Sequence, residues 1–574
     1  MTLSPSSPSS ITVTLQQLIE ASSSNSRHGV GIEQALQKLS TQMTLIGADS
    51  KPMNSFLDIP FLQFRLDSRQ LEPNDVFVLL KSHIPNYQKS RAYLYQAANN
   101  AAFILSEIDP LALIAAANVP PHANLELTTD NAKSIAQQQL TALPCPVLYV
   151  PNIRNFLGDL IQARLQYQQP VTLPAVVAVT GTNGKTTISQ LVAQLTQLTG
   201  MSSGVMGTAG NGRLGALVQA SHTTGDALAV QQFLYQMGVE NTELLALEAS
   251  SHGLDQQRLQ GMPVSVAIFT NLSRDHLDYH ADMAEYAAAK AKLFDKAHFP
   301  DLTHAIINID DDYAQIMLDT AHASNLIVWT YSLDASKTAT FVAADIKPSL
   351  QGVEVSLRTD FNDGKVNHLN IISPLLGRFN VANLLAAMAA AVALGNKTGI
   401  NLECVAAVIP QLQGAVGRMQ RVSSNDGCFI VDYAHTPDAL SQVLASLKTH
   451  CKGQLWAVFG CGGDRDTGKR PLMAQAGLAG ADKVVLTADN PRTEDPNMIL
   501  QDMQAGMSAE QYQRTHIEPA RQTAIEYAVS QAAADDIVII AGKGHETYQE
   551  INNVRYDFDD SVILQQALAQ AGRV

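Results

Sequence analysis

Short apolar runs, each closing on polar or glycine-rich residues, recur along most of this chain. Runs at 175–180, 244–248, 264–270 and 304–309 alternate with segments of helical period. Buried parallel strands read as continuous apolar runs, and strand–helix alternation predicts a mainly parallel sheet with ligand loops at the carboxyl ends of its strands. A second series at 428–432, 454–459, 483–488 and 536–541 predicts another doubly wound sheet. Between the two lie an alanine- and leucine-rich helix over 380–394 and a break near Pro410 to Gly417. The first 172 residues are mixed, with short strands at 75–80 and 102–105 and an apparent insertion over 106–146 rich in Ala, Pro, Asn and Gln. The segment from Gln168 to Pro174 reads as a linker. The expectation is an α/β protein of three domains, 1–172, 173–412 and 413–574, with 1–12 disordered.

Composition narrows the class. The 574 residues are 46% hydrophobic, and no window approaches the roughly 20 apolar residues of a membrane span. A net charge of −15 argues against nucleic acid as a main partner. The five cysteines, Cys145, Cys404, Cys428, Cys451 and Cys461, are scattered and form no Cys-x-x-Cys, which fits a reducing cytoplasm. In so acidic a chain, lysines and arginines at strand ends become informative.

The strongest chemical signal is Gly181-Thr-Asn-Gly-Lys-Thr-Thr187, between the run at 175–180 and a helical pattern opening at Ile188. Glycines let backbone N–H groups approach phosphate oxygens, a helix N-terminus adds partial positive charge, Lys185 neutralises terminal phosphates, and Thr186 puts a hydroxyl on Mg²⁺. The general phosphate loop has a glycine five residues before Gly184, where this chain has Val179. Glu248, at the end of its strand, is positioned to hold the nucleotide's Mg²⁺. Asp275, His276, Asp278 and His280 form a cluster better suited to Mg²⁺ than to zinc, and taken alone equally a hydrogen-bonded loop. By spacing, Lys290 is an ordinary solvated lysine, no more notable than Lys292. Four more polar strand ends follow: Asp432-Tyr-Ala-His435, Gly460-Cys-Gly-Gly-Asp-Arg465, Asp489-Asn-Pro-Arg492 and Gly542-Lys-Gly-His-Glu546. Four in succession line one edge of a sheet, which makes a site.

Together these motifs resemble the Mur ligases, ATP-dependent amide-forming enzymes of peptidoglycan synthesis. The likeness rests on Gly181 to Thr187, Gly414 to Arg418 and Asp432 to His435, and it accounts for the departure at Val179. It implies a mixed α/β N-terminal domain binding a UDP-linked substrate, a P-loop ATPase-like central domain and a Rossmann-like C-terminal domain binding the amino acid. Asp489 to Arg492 is similar to the motif of members that add meso-diaminopimelate to UDP-N-acetylmuramoyl-L-alanyl-D-glutamate. An arginine fork pairs with the distal carboxylate that lysine lacks, so Arg492 is the expected specificity residue.

The resemblance implies ATP contacts at Gly181, Thr182, Asn183, Gly184, Lys185, Thr186, Thr187, Arg418, Asp432 and His435. It implies UDP-substrate contacts at Leu66, Ser68, Thr223, Thr224, Ser250, Gln256 and Arg258. Diaminopimelate contacts are implied at Arg470, Asp489, Asn490, Pro491, Arg492, Gly542 and Glu546. Thr186 and Glu248 would serve one Mg²⁺, His276 and a carbamylated Lys290 a second, with Lys185, Lys290 and His276 catalytic. The chain departs from the family pattern at His222 and over 81–89. The rival readings are a lysine-adding sister ligase, a folylpolyglutamate synthase-like enzyme and a nucleotide-binding regulator without ligase chemistry. A monomer without membrane span is expected.

Overall fold

The computed structural model describes residues 11–23, 44–46, 54–83, 86–115, 130–219, 223–277, 279–349, 351–361, 365–395 and 399–574. The N-terminal tail, the middle of the 106–146 segment, part of 81–89, His222 and Asp278 therefore lie partly or wholly outside the described residues.

The first sheet comprises β1 (Thr44–Ile46), β2 (Phe64–Arg65), β3 (Asp75–Leu79), β4 (Ala101–Ser106) and β5 (Val147–Tyr149), in the order β1-β5-β4-β3-β2. Only β1 runs antiparallel. The segment read as an insertion is built into this layer. Its helices Pro110–Ala115 and Asp130–Thr141 bury Leu113, Ile114, Ala136 and Leu140 in the same core as Phe77 and Ile104.

The central sheet has ten strands: β6 (Ala175–Thr180), β7 (Ser203–Gly207), β8 (Gly210–Arg213), β9 (Leu244–Glu248), β10 (Val264–Phe269), β11 (His304–Asn308), β12 (Ile327–Ser332), β13 (Phe341–Ser349), β14 (Gly352–Asp360) and β15 (Val366–Ser373). Their order is β15-β14-β13-β12-β11-β10-β6-β9-β7-β8. The middle is parallel, as the apolar runs predict. The antiparallel pairs β13–β14, β14–β15 and β7–β8 extend it at both edges. Helices Lys185–Leu198 and Arg378–Ala393 pack on one face, burying Leu191, Leu195, Leu384 and Leu385. Helices Ala227–Val239, Met283–Ala291 and Ala314–Ala323 cover the other.

The third sheet comprises β16 (Gln420–Val422), β17 (Cys428–Asp432), β18 (Leu455–Phe459), β19 (Lys483–Leu486), β20 (Thr515–Ile517) and β21 (Ile537–Ala541), in the order β16-β17-β21-β18-β19-β20, parallel apart from edge strand β16. Helices Pro437–Lys448, Lys469–Gly480 and Pro496–Gln504 bury one face and Arg521–Gln531 with Asp560–Gln570 the other. A hairpin of β22 (Tyr548–Ile551) and β23 (Val554–Asp557) stands at the carboxyl ends of the strands, where Ile551 bridges Arg492. All five cysteines are free, and among the described residues no helix is long and apolar enough to cross a membrane.

Candidate active site

The loop after β6 is shaped by two glycines. Gly184 sits at φ +89°, where a Cβ would meet Asn383 Oδ1 at 2.7 Å, and a Cβ on Gly181 would lie 1.9 Å from Thr270 Oγ1. The end of β10 pins the loop from below. Thr182 N–H donates to the Asn271 carbonyl at 2.7 Å, Asn183 N–H to Asn271 Oδ1 at 3.0 Å, and Thr270 Oγ1–H to the Asn183 carbonyl at 2.6 Å. These pins fix the loop as it enters the N-terminus of helix Lys185–Leu198, whose first amides have no partner within the helix and are the groups that can cradle phosphate.

Lys185 folds back to donate to the carbonyls of Gly181 (3.0 Å) and Thr182 (2.8 Å). Burial depresses its pKa and Arg418 depresses it further, while Glu248 opposes. Lys290 is not solvated as its spacing suggested. It is 1% exposed, donates to Gly181 O at 2.8 Å, and lies 4.5 Å from the Tyr286 ring centroid. The small residues Ala287 and Ala291 seat this face of the helix against the core, and Lys292 is the surface lysine, ion-paired with Asp255. Burial holds Lys290 well below its ordinary pKa, with Lys185 adding to the effect. Tyr286, pushed to about 12 by burial, also neighbours His276, with ring centroids 5.9 Å apart.

Glu248 is 2% exposed, with Oε1 accepting from Thr186 Oγ1–H (2.9 Å) and Thr208 N–H (2.8 Å) and Oε2 from Thr208 Oγ1–H (3.2 Å). All these donors are neutral, so a buried carboxylate keeps capacity for a cation, which suits a divalent ion beside a phosphate loop. Among the described residues, no three His, Cys, Asp or Glu side chains gather as a ready-made metal cage. Asp275 and His276 are instead partly exposed, 3.6 Å apart.

Thr223, Thr224, Ser250, Gln256 and Arg258 share one network. Thr208 Oγ1, its proton given to Glu248, pairs with the Thr223 hydroxyl (3.0 Å), Ser250 Oγ–H donates to Thr224 Oγ1 (2.9 Å), and Arg258 donates to the Thr224 carbonyl (3.0 Å) and to Gln256 Oε1 (2.8 Å). Beside it a pocket of about 350 Å³ is lined by Lys81, Arg154, Asp226, Gln256 and Arg258 among others. Arg154, which the sequence reading missed, joins the first and second sheets: it pairs with Glu107 (2.8 Å) and donates to the carbonyls of Lys81 (2.7 Å) and Gln256 (3.2 Å). An isolated arginine in Asn152-Ile-Arg-Asn carries no signal. Ser68 is buried with its hydroxyl donating to Gln96 (3.0 Å), and Leu66 packs on the N-terminal core; neither lines this pocket.

The third sheet brings its polar strand ends together. Asp432 is buried and receives Met419 N–H (2.8 Å) and Ala434 N–H (2.7 Å). Its carboxylate thereby fixes the segment carrying Arg418, whose guanidinium lies over Tyr433 at 4.6 Å. His435 is held by the Tyr433 carbonyl through Nδ1 (2.9 Å). The approach to Arg418 is anchored on the phosphate-loop helix, where Gln194 and Gln190 accept from Gln413 N–H (2.8 Å) and Val416 N–H (3.1 Å). Gly417, at φ +68°, then touches the 542–546 loop so closely that a Cβ would lie 2.1 Å from His545 N.

Arg492 donates to the Gly463 carbonyl at 2.7 Å and stands 3.6 Å from Glu550. Asn490 donates to Glu546 (2.8 Å) and accepts from Lys543 Nζ (3.1 Å), which also reaches Glu546 (3.2 Å). A Cβ on Gly542 would lie 2.5 Å from Asp489 Oδ2, and Pro491 O accepts from Glu494 N–H (3.0 Å). Arg470 is spent on Glu494 and Asp502, both at 2.8 Å, and through Glu494 it braces the turn after Arg492. Lys543, fully buried, and Glu550 were not singled out from sequence, although Lys543 lies inside a motif that was.

The Mur ligase middle domain matches residues 179–391, and the Mur ligase glutamate ligase domain matches residues 417–544. UDP-N-acetylmuramoyl-L-alanyl-D-glutamate–2,6-diaminopimelate ligase of Pseudomonas aeruginosa is 42% identical over 514 residues, spanning 89% of this chain and 96% of the relative. The enzyme of that name from Neisseria meningitidis serogroup B is 39% identical over 507 residues, spanning 88% and 94%. A solved structure of a ligase of the same name covers 98% of this chain and 100% of its own at 40% identity, with a TM-score of 0.67. Mycobacterium tuberculosis folylpolyglutamate synthase bound to ADP shares the fold at 18% identity and a TM-score of 0.52, covering 73% and 94%.

Proposed function

This chain belongs to the Mur ligase family, and we propose that it uses ATP to join meso-diaminopimelate to the D-glutamyl γ-carboxylate of UDP-N-acetylmuramoyl-L-alanyl-D-glutamate. The observation that carries the reading is the continuous path from phosphate loop to amino-acid loops. The helix opening at Lys185 holds the 413–416 segment, which delivers Arg418 and then abuts the 542–546 loop beside Arg492. Phosphoryl donor and incoming amine are thereby served from loops in direct contact with one another.

The reaction is the transfer of the γ-phosphoryl group to the D-glutamyl carboxylate, attack of the diaminopimelate amine on that acyl phosphate, and loss of phosphate from the tetrahedral intermediate. Lys185 and Arg418 stabilise negative charge on the transferring group, in a site preorganised by the Thr270–Asn271 pins. The network of Thr223, Thr224, Ser250, Gln256 and Arg258 orients the UDP-linked acceptor, while Leu66 and Ser68 stand away from this pocket in the first sheet's layer. Arg492 takes the distal carboxylate of diaminopimelate and Glu546 an ammonium, so amine and acyl phosphate meet in fixed orientation. Thr186 and Glu248 would hold one Mg²⁺, and His276 with a carbamylated Lys290 a second. Such ions would spread phosphate charge as Lewis acids.

Phosphate release is the test. With ATP and the UDP-linked acceptor present, diaminopimelate should support turnover and lysine or glutamate should not. Phosphate release without any amino acid, or equal kcat/KM for lysine, would overturn the assignment.

A further inference from the structure

Arg521 opens a helix behind the amino-acid loops and touches none of the groups assigned above, yet it is fully buried against an equally buried Asp560. Its Nε donates to Asp560 Oδ1 and its Nη2 to Oδ2, both at 2.7 Å, a two-pronged pair. The outer edge of the same guanidinium donates to two carbonyls, Ala488 O through Nη1 (3.2 Å) and Ala541 O through Nη2 (3.0 Å). Ala488 immediately precedes Asp489-Asn-Pro-Arg492, and Ala541 immediately precedes Gly542-Lys-Gly-His-Glu546.

These two chain segments are not neighbours in the sheet, because β18 lies between β19 and β21 and ends at Phe459. No backbone ladder therefore joins the two stems; farther out the loops meet through the Arg492–Ile551 bridge and the Asn490–Glu546 bond, and at the stems Arg521 is the side chain that spans the gap. Arg521 does so with a planar, rigid fork, while Asp560 fixes the plane of that fork. Burying such a pair is weak evidence for stability, since apolar residues of like volume often serve as well. Its geometry, one guanidinium on two loop stems, is a reason of a different kind.

We infer that Arg521, oriented by Asp560, is a positioning residue for amino-acid specificity. By tying the two stems it holds, together with the outer Asn490–Glu546 and Arg492–Ile551 contacts, the separation of Arg492 and Glu546, and hence the match to a substrate whose far end carries a carboxylate and an ammonium on one carbon. Lysine, which offers the ammonium alone, gains nothing from that spacing. The inference rests on the assignment of Arg492 and Glu546 under the proposed function.

The test compares Arg521→Lys, which keeps the charge and loses the fork, with the double variant Arg521→Met/Asp560→Leu, which removes the pair without stranding a charge. Arg492→Ala serves as reference. In full-length protein, both Arg521 variants should raise KM for diaminopimelate about tenfold or more and lower the diaminopimelate-to-lysine ratio of kcat/KM to match. KM for ATP and the UDP-linked acceptor, and kcat at saturating diaminopimelate, should stay within about threefold. If Arg492→Ala raises KM for diaminopimelate and folded Arg521 variants do not, the positioning role is overturned and the site assignment stands. If Arg492→Ala has no such effect, the site assignment fails and takes this inference with it. If both Arg521 variants lose nucleotide binding or the folded state together, the pair is a stability element and the inference is again overturned.

Discussion

Lys185 and Lys290 donate to one acceptor, the Gly181 carbonyl, at 3.0 and 2.8 Å. Two ammonium groups on one oxygen repel, and both lysines are held below their ordinary pKa, burial being the main cause for each. A buried lysine with a depressed pKa is a neutral amine for more of the time, the form that captures CO₂ as a carbamate. Carbamylation of Lys290 would turn a repulsive contact into an attractive one and supply a carboxylate-like oxygen pair.

Lys290→Ala should therefore lower kcat by about 10³-fold or more, as loss of a catalytic group does. Short carboxylic acids such as acetate should restore part of that loss, whereas Lys290→Arg, which keeps only a cation, should stay inactive. A carbonyl signal from labelled bicarbonate in the native protein, absent in Lys290→Ala, gives a readout independent of turnover. Full activity of Lys290→Arg would remove the carbamate from the account.

Glu248→Gln keeps the side chain's volume and removes its charge. The amide oxygen can replace Oε1 in accepting from Thr186 Oγ1–H and Thr208 N–H, and the amide N–H can donate to Thr208 Oγ1 in reversed sense, so the fold should survive. The Mg²⁺ concentration for half-maximal rate should rise about tenfold or more, and kcat at saturating Mg²⁺ should fall about 10²-fold. A Mg²⁺ titration coincident with that of the native protein would exclude Glu248 as a ligand.

At Arg492, lysine preserves the charge and loses the fork. A charge-assisted fork is worth about 2 kcal/mol more than a lone contact, roughly a 30-fold rise in KM for diaminopimelate. KM for ATP should not change, because the phosphate loop lies on a different sheet. Steady-state kinetics with each substrate varied in turn decide it.

How much of this was readable beforehand depends on what each residue's neighbours reveal. Strands β6, β9, β10, β17 and β21 are buried on both faces, so their apolar runs and polar ends stand out, and the candidate loops stand at those ends. Strands β13 to β15 escaped because their hairpins face solvent on one side: β13 ends in Asp345-Ile-Lys-Pro-Ser349, which resembles a loop. In the N-terminal region β2 is two residues long, too short for any period. Lys290 and Arg521 were illegible for a common reason. Each is a charged residue on a helix whose burial depends on what packs against it, which local spacing does not encode.

His450 joins the second and third sheets and should make their docking pH-dependent. Gly377 N–H must donate to Nε2 (3.0 Å), so Nδ1 carries the proton and donates to the Ser349 carbonyl (2.8 Å), and the ring is bonded on both sides only when neutral. Burial holds its pKa below the ordinary value of 6.5, against the opposing effect of the Ser349 bond. The unfolded chain therefore binds this proton more readily than the folded one. The stabilisation is complete above the unfolded value and is lost as pH falls below about 6.5, with a slope of at most about 1.4 kcal/mol per pH unit. His450→Phe fills similar space and cannot titrate. It should be less stable than the native chain at pH 8, and the gap should narrow as pH falls from 7 towards 5. Other histidines with depressed pKa, among them His280, His304 and His545, are common to both chains and cancel in the difference. Urea denaturation of both proteins across that range measures the gap, and parallel stability curves would show that His450 does not couple the two sheets to pH.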